Sequence, residues 1–228
     1  RLSLNGNEGF DQTTRALCSL LDSGSCMLST LSFGAQSSPP RKINIGGLAE
    51  AIVRYGCLQY LDLSHNRLDI PDFATLLDAA SRCSALVTLF VRYNDIGNLK
   101  LLDGLMQTHT PSKLRRLSLI GNPLGDDDRA GLAKLLKDHP ELQDFGFSDD
   151  EKSRLITPAI QYMLDLNRSG RVLLTNPSTP LSVLATVLER ATRLSENETD
   201  SDVRTERQAS VIYGLLQGPA FAARSPNE

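Results

Sequence analysis

Few side chains in this sequence are spaced to do chemistry, and those that are suit recognition better than catalysis. Tyr60, Asp62, Phe90, Arg92, Tyr93 and Arg116 fall at matching places in three successive stretches, YLDLSHN, TLFVRYN and RLSLIGN. Aromatic rings offer large apolar area on few rotors, and a guanidinium group engages a carboxylate through two parallel N–H bonds. Tyr and Arg dominate the energetics of protein interfaces. A plainer reading exists: strands favour aromatic residues, and arginines keep an exposed face soluble. Asp126, Asp127 and Asp128 could face a cation, yet three acids opening a helix also serve its N-terminal partial charge. His65, His109 and His139 are too dispersed to share a site by spacing. Gly46-Gly47 lacks the rest of a phosphate loop, and no G-x-x-x-x-G-K-[ST], G-x-S-x-G or H-E-x-x-H occurs. The reading is non-enzymatic, with no metal, no cofactor and no small-molecule substrate.

The elements that must position these residues follow from a pattern at fixed pitch. Counting back from a polar residue, apolar residues recur three, five and eight places earlier in CMLSTLSFGAQ, CLQYLDLSHN, SALVTLFVRYN, SKLRRLSLIGN and PELQDFGFSDD. The chain opens part-way through a further block, RLSLNGN. The closing residues Asn7, Gln36, Asn66, Asn94, Asn122 and Asp150 are 29, 30, 28, 28 and 28 residues apart. Alternating leucines in L-x-x-L-x-L point one way from a short strand, as Leu61 and Leu63 would from Tyr60–Ser64. A helix should follow each strand: Pro71 starts one with Phe73, Leu76, Leu77 and Ala80 on one face, and Asp126–Asp138 forms another through Leu132, Leu135 and Leu136. Asn7, Asn66, Asn94 and Asn122 form a structural ladder in this reading, since an amide both donates and accepts where the buried chain turns. Gln36 and Asp150 would serve less well.

A repeat in the twenties with this pattern defines an α/β leucine-rich repeat solenoid. With a full helix in each unit, it resembles the ribonuclease-inhibitor type, which also forms the sensing region of NOD-like receptors and the body of the Ran GTPase activator. The resemblance spans residues 1 to 150. It implies a horseshoe, because strands stack about 4.8 Å apart and helices need roughly 8–10 Å. Function would then lie in the concave strand face, where Tyr60, Asp62, Phe90, Arg92, Tyr93 and Arg116 stand, flanked by His65 and Arg115. The expected partner is a protein. Alternatives are the regulatory sensor region of a larger receptor or signalling protein, and a Ran-type GTPase activator, although SENETDSD is short for that family's acidic tail.

Repeats are expected over 1–152, the first truncated; Arg1 falls inside a strand, so the chain reads as part of a longer one. A helical C-terminal cap is expected over 153–194, with YMLDLNRSGR resembling the capping segment of such arrays. Within it a helix over Leu155–Asn167 would lay Ile160, Met163, Leu164 and Leu166 on the last repeat and stop at Gly170. An acidic linker (195–204) and a terminal helix and tail (205–228) follow, with helices over Leu181–Leu194 and Glu206–Gln217. Insert SSPPRK (37–42) should be exposed. A net charge of −3 and a pI of 5.7 give no global attraction to nucleic acid or acidic membrane, and no stretch reaches the ~20 apolar residues of a membrane span. Cys18, Cys26, Cys57 and Cys83 lack paired spacing, which suggests buried thiols in the cytoplasm, with the nucleus as the alternative.

Overall fold

The computed structural model describes residues 1–6, 10–24, 27–34, 43–106, 112–176, 178–194 and 200–222. Six short strands run in chain order through one open parallel sheet: β1 (Leu2–Ser3), β2 (Thr30–Ser32), β3 (Tyr60–Asp62), β4 (Thr88–Phe90), β5 (Arg116–Ser118) and β6 (Asp144–Gly146). Their centres fall within one residue of those the repeat pitch sets. Leu2, Leu31, Leu61, Leu89, Leu117 and Phe145 form one row across the sheet. The four central leucines of that row are buried, and Leu63, Val91 and Leu119 continue the burial two residues on. This is a leucine-rich repeat solenoid.

Helices alternate with the strands: α1 (Phe10–Asp22), α2 (Ile45–Tyr55), α3 (Ile70–Arg82), α4 (Leu102–Leu105), α5 (Arg129–Asp138) and α6 (Asp149–Leu155). At α3 the start signal is complete, with Asp69 and Asp72 in a reciprocal capping box and Pro71 in the first turn. The three-acid run is a 3₁₀ turn leading into α5. Its Asp128 is buried and accepts from Leu99 N–H at 2.6 Å and Gly125 N–H at 2.8 Å, so it joins two repeats. Asp126 pairs with Arg129 and Asp127 with Lys100. Among the described residues no three His, Cys, Asp or Glu side chains group to hold a metal ion.

Beneath the turns lies a column of amides. Asn66 Nδ2 donates to the carbonyls of Phe33 (2.7 Å) in the preceding repeat and Leu63 (2.9 Å) in its own. Asn94 repeats this to Leu63 and Arg92, while its Oδ1 accepts from Asn66 N–H (2.8 Å) and Leu68 N–H (3.1 Å). Asn122 donates to Val91 and Leu119 and accepts from Ile96 N–H. All three are buried. Asn7, Gln36 and the 37–42 insert lie outside the described residues.

The far end departs from the sequence expectation in four ways. Asp150 closes no turn; it is exposed in the first turn of α6, whose N-cap Ser148 diverts the chain into helix with a capping box to Glu151. The amide that reaches the last repeat comes instead from Asn167 on α7 (Pro158–Ser169), which donates to Leu136, His139 and Leu142 carbonyls. The single helix read over Leu155–Asn167 is two, because Thr157 caps a new start and Pro158 follows it. Ile160 and Leu164 face the repeats, but Leu166 is buried on the other side with Leu174, Leu184, Val187, Val211 and Leu215. That second core joins α7 to α8 (Leu181–Arg193) and α9 (Ser201–Leu216), ahead of α10 (Pro219–Ala222). Finally, α9 starts at Ser201, earlier than expected, since Asp200 accepts from Asp202 and Val203 N–H groups as its N-cap; 195–199 lie outside the described residues.

Two outcomes follow. Asn94→Ala should lower stability by about 1–3 kcal/mol, read as a shifted denaturant midpoint at unchanged slope, because the buried Asn66 and Leu68 N–H groups lose the Asn94 acceptor and the Leu63 and Arg92 carbonyls lose one of their donors. His139 is buried with Nδ1 facing Ser112, and burial pushes its pKa down from the ordinary value of 6.5. The unfolded chain therefore binds the proton more readily, and the stability held above pH 6.5 should drain as pH falls from about 6.5 through the depressed native value. Urea midpoints of His139→Gln against the parent between pH 7.5 and 5 test this, the variant's being flatter.

Candidate functional site

The face of the sheet away from the helices is built from positions that alternate with the buried leucines. Two rows cross it: Tyr60, Thr88, Arg116 and Asp144, and next to them Asp62, Phe90, Ser118 and Gly146. Beyond the strand ends Ser64 and Arg92 continue the pattern, as His65 N–H still bonds Arg92 carbonyl and Tyr93 N–H bonds Ile120 carbonyl. Tyr60, Asp62, Phe90 and Arg92 are half-buried; Arg116 is exposed and Tyr93 is 53% exposed.

These side chains touch. Tyr60 meets Phe90 edge-on, with ring centroids 5.1 Å apart and planes at 73°. The Arg92 guanidinium lies 4.0 Å over the Phe90 ring, and its Nε–H donates to Ser118 Oγ at 2.9 Å. Arg92 is thus oriented across the sheet by the molecule itself. Room for Ser118 depends on Gly146, where a Cβ would stand 2.5 Å from Ser118 Oγ. Asp62 accepts from Ser64 N–H (3.0 Å) and Ser64 O–H (2.6 Å), which holds its carboxylate along the strand. Burial, with the Asp62 charge adding to it, raises the Tyr60 pKa, so its hydroxyl keeps its proton and can donate.

At the strand exits the backbone tells more. The residue before each of the buried amides Asn66, Asn94 and Asn122 takes a left-handed conformation, His65 at φ 60°, Tyr93 at 51° and Gly121 at 69°, as does Gly6 at 73° in the first repeat. Glycine adopts this freely, whereas another L-residue costs roughly 1–2 kcal/mol. Two repeats use glycine and two carry a ring. The His65 and Tyr93 rings stack at 4.6 Å and 14°. Tyr93 also lies against Gly121, where a Cβ would come within 2.3 Å of its ring. Strain held at two adjacent, ring-bearing positions is a reason to look for function there.

The structure thus groups Tyr60, Asp62, Phe90, Arg92 and Tyr93, while Arg116 stands apart, facing Asp144 and Arg168. Asn66, Asn94 and Asn122 lie beneath the turns, and Asn7 and His109 fall outside the described residues. Sequence reasoning placed His65 and Arg115 only as flanks. It placed Asn5 on the outward face without its task, which is to accept at Oδ1 from Gly34 N–H and Ser32 O–H on the neighbouring strand. It also missed Arg168, which reaches from α7 to the Gln143 carbonyl at 2.8 Å. The repeat ruler ends before Arg168, so no spacing points to it. The pairs His65-Asn66 and Tyr93-Asn94, set against Gly6-Asn7 and Gly121-Asn122 in the sequence, do carry a signal: a ring stands where the turn prefers glycine.

A family model described as Leucine Rich Repeat matches residues 57–76, one unit of the array. No curated protein matches the chain. Among solved structures, "Leiomodin-1 Actin-Binding Site 2 (ABS2)" aligns with 84% of this chain and 95% of that one, at 15% identity and a TM-score of 0.47.

Replacing Tyr93 by glycine removes the stack and the left-handed strain together, so thermal stability should move by no more than about 1 kcal/mol either way. Tyr93→Ala keeps the strain and loses the ring, and should be the less stable of the two. Thermal melts of both variants decide it; an alanine variant at least as stable as the glycine one would show that the turn is not strained.

Proposed function

We propose that the chain is a non-catalytic protein-interaction module that grips a protein partner on the concave face of its sheet, through Tyr60, Asp62, Phe90, Arg92, Tyr93 and Arg116. One observation carries the reading: two ring pairs, Tyr60 on Phe90 and His65 on Tyr93, stand on positions with no core task, two of the rings at a conformational cost. Rings pre-positioned by neighbours lose little entropy on binding. Arg92, already laid over Phe90, would present a rigid cation–π platform instead of a searching side chain. Residues 1–152 carry recognition in this reading, and 153–194 close the end of the array. The helix in each unit supports the ribonuclease-inhibitor subtype, and the free thiols of Cys18, Cys57 and Cys83 suit the reducing cytoplasm or nucleus. Cys57 is exposed, unlike the buried thiols expected from sequence.

With a partner purified and identified, Phe90→Ala should weaken binding by about 2 kcal/mol or more, while Lys137→Ala on the outer face of α5 should leave it unchanged. Titration calorimetry measures both. Loss of affinity in the α5 variant with none in the Phe90 variant would move the interface to the helices.

A further inference from the structure

We propose that the polar cavity at the starts of β4, β5 and β6 is a carboxylate-binding pocket that receives an acidic side chain of the partner protein. This deepens the concave-face reading and rests on it for the partner, not for the pocket chemistry.

The cavity is about 430 Å³ and is lined by Thr88, Arg115, Arg116, Gln143, Asp144 and Arg168. Its charge is unbalanced. Arg116 is exposed and makes no side-chain hydrogen bond or ion pair among the described residues. Arg115 lies 3.4 Å from Glu141, but that carboxylate also takes Lys113 at 3.0 Å. Arg168 stands 3.4 Å from Asp165 and 3.8 Å from Asp144. Asp165 is already held by two bonds from Arg207, at 2.6 and 2.9 Å. Three guanidinium groups, Arg115, Arg116 and Arg168, thus share the cavity wall with a single carboxylate, Asp144.

Geometry also favours a single carboxylate as the occupant. Arg168 is fixed by the bond from its Nε–H to the Gln143 carbonyl and by Nη1 on Asp165, which leaves Nη2 toward Asp144. Arg116 shares a row with Tyr60 two strands away, about 10 Å, so an acidic side chain seated there lies within one peptide's reach of the aromatic patch. Guanidinium forks match the two oxygens of a carboxylate. Arg116 is the open cation of the wall, so one carboxylate of an acidic peptide can pair there while its other acids stay in solvent, away from Asp144.

A hexaglutamate peptide labelled with fluorescein tests the pocket, and a hexaglutamine peptide with the same label controls for contacts made by the dye. In low-salt buffer the full chain should bind hexaglutamate and not hexaglutamine, by fluorescence anisotropy. Arg116→Gln should weaken binding about fivefold, Arg115→Gln with Arg116→Gln should abolish it, and Arg116→Lys should restore part of it. Lys137→Gln should bind as the parent does, and added salt should weaken every complex. Arg116 is exposed, so unchanged circular dichroism and melting in its variants are expected and are to be checked. Hexaglutamate binding undiminished in Arg116→Gln, or no binding by the parent at millimolar peptide, would overturn the pocket. Either result leaves the aromatic patch to its own alanine test, so the two readings fail separately.

Discussion

The buried asparagine column is the constraint on which the rest of this molecule depends. A strand of three residues cannot close its own polar groups, and stacking it against neighbours buries the turn that follows. Asn66, Asn94 and Asn122 answer that by donating backward to the previous repeat and forward to their own turn. An amide can do this because it carries donors and acceptors on one short arm; a carboxylate cannot donate, and glutamine adds a rotor. To deliver the amide inward, the chain must swing sharply just before it, which forces the left-handed residue. Whatever side chain occupies that residue is thrown outward at the rim of the sheet. The same interaction that closes the core therefore displays His65 and Tyr93.

The array ends where the column passes to another element. After β6 the chain has Ser148 and Asp149-Asp150 instead of a ring or glycine and an amide, and the acids start α6. The carbonyls of Leu136, His139 and Leu142 take Asn167 from α7 as a donor, Leu136 accepting also from Arg171 and His139 from the Leu142 N–H. Neighbouring residues of α7 then divide their loyalties. Leu164 packs on the repeats and Leu166 on the terminal helices, while Asp165 between them is 1% exposed and takes the Arg207 guanidinium. A buried carboxylate of this kind is tolerable only when paired, so α9 is tied to the array by charge as well as by apolar packing.

The strands, their order and their pitch were legible because each depends on local spacing. A three-five-eight pattern can only bury its leucines by stacking, and one ruler located all six strands. The face residues were legible for the same reason, being the positions between leucines. What escaped was set by distant partners. Arg92 reads as an outward cation until Phe90 and Ser118 hold it flat across the sheet. Leu166 reads as one of four residues on a single helical face, yet a second core pulls it the other way. The break before Pro158 was visible as Thr157-Pro158, a cap followed by a first-turn proline, and was overridden by the apolar periodicity around it.

Electrostatics separates the two surfaces of the array. On the helix side, charges pair from one repeat to the next: Arg54 with Asp22, Arg82 with Glu50, and Lys134 with Asp103. Such exposed pairs add little stability, but they leave that surface without a dominant sign. On the sheet side, pairing is broken in a definite place. Asp62 is turned onto Ser64, Arg92 onto Phe90 and Ser118, and the surplus of positive charge collects at Arg115, Arg116 and Arg168. A chain with a net charge of −3 thus concentrates positive charge beside its aromatic patch. In the proposed reading, the overall charge would disfavour acidic proteins in general, while this local patch would favour one that sets an acid about 10 Å from an apolar anchor. Selectivity on this face would then follow from the distance between those two features more than from either feature alone.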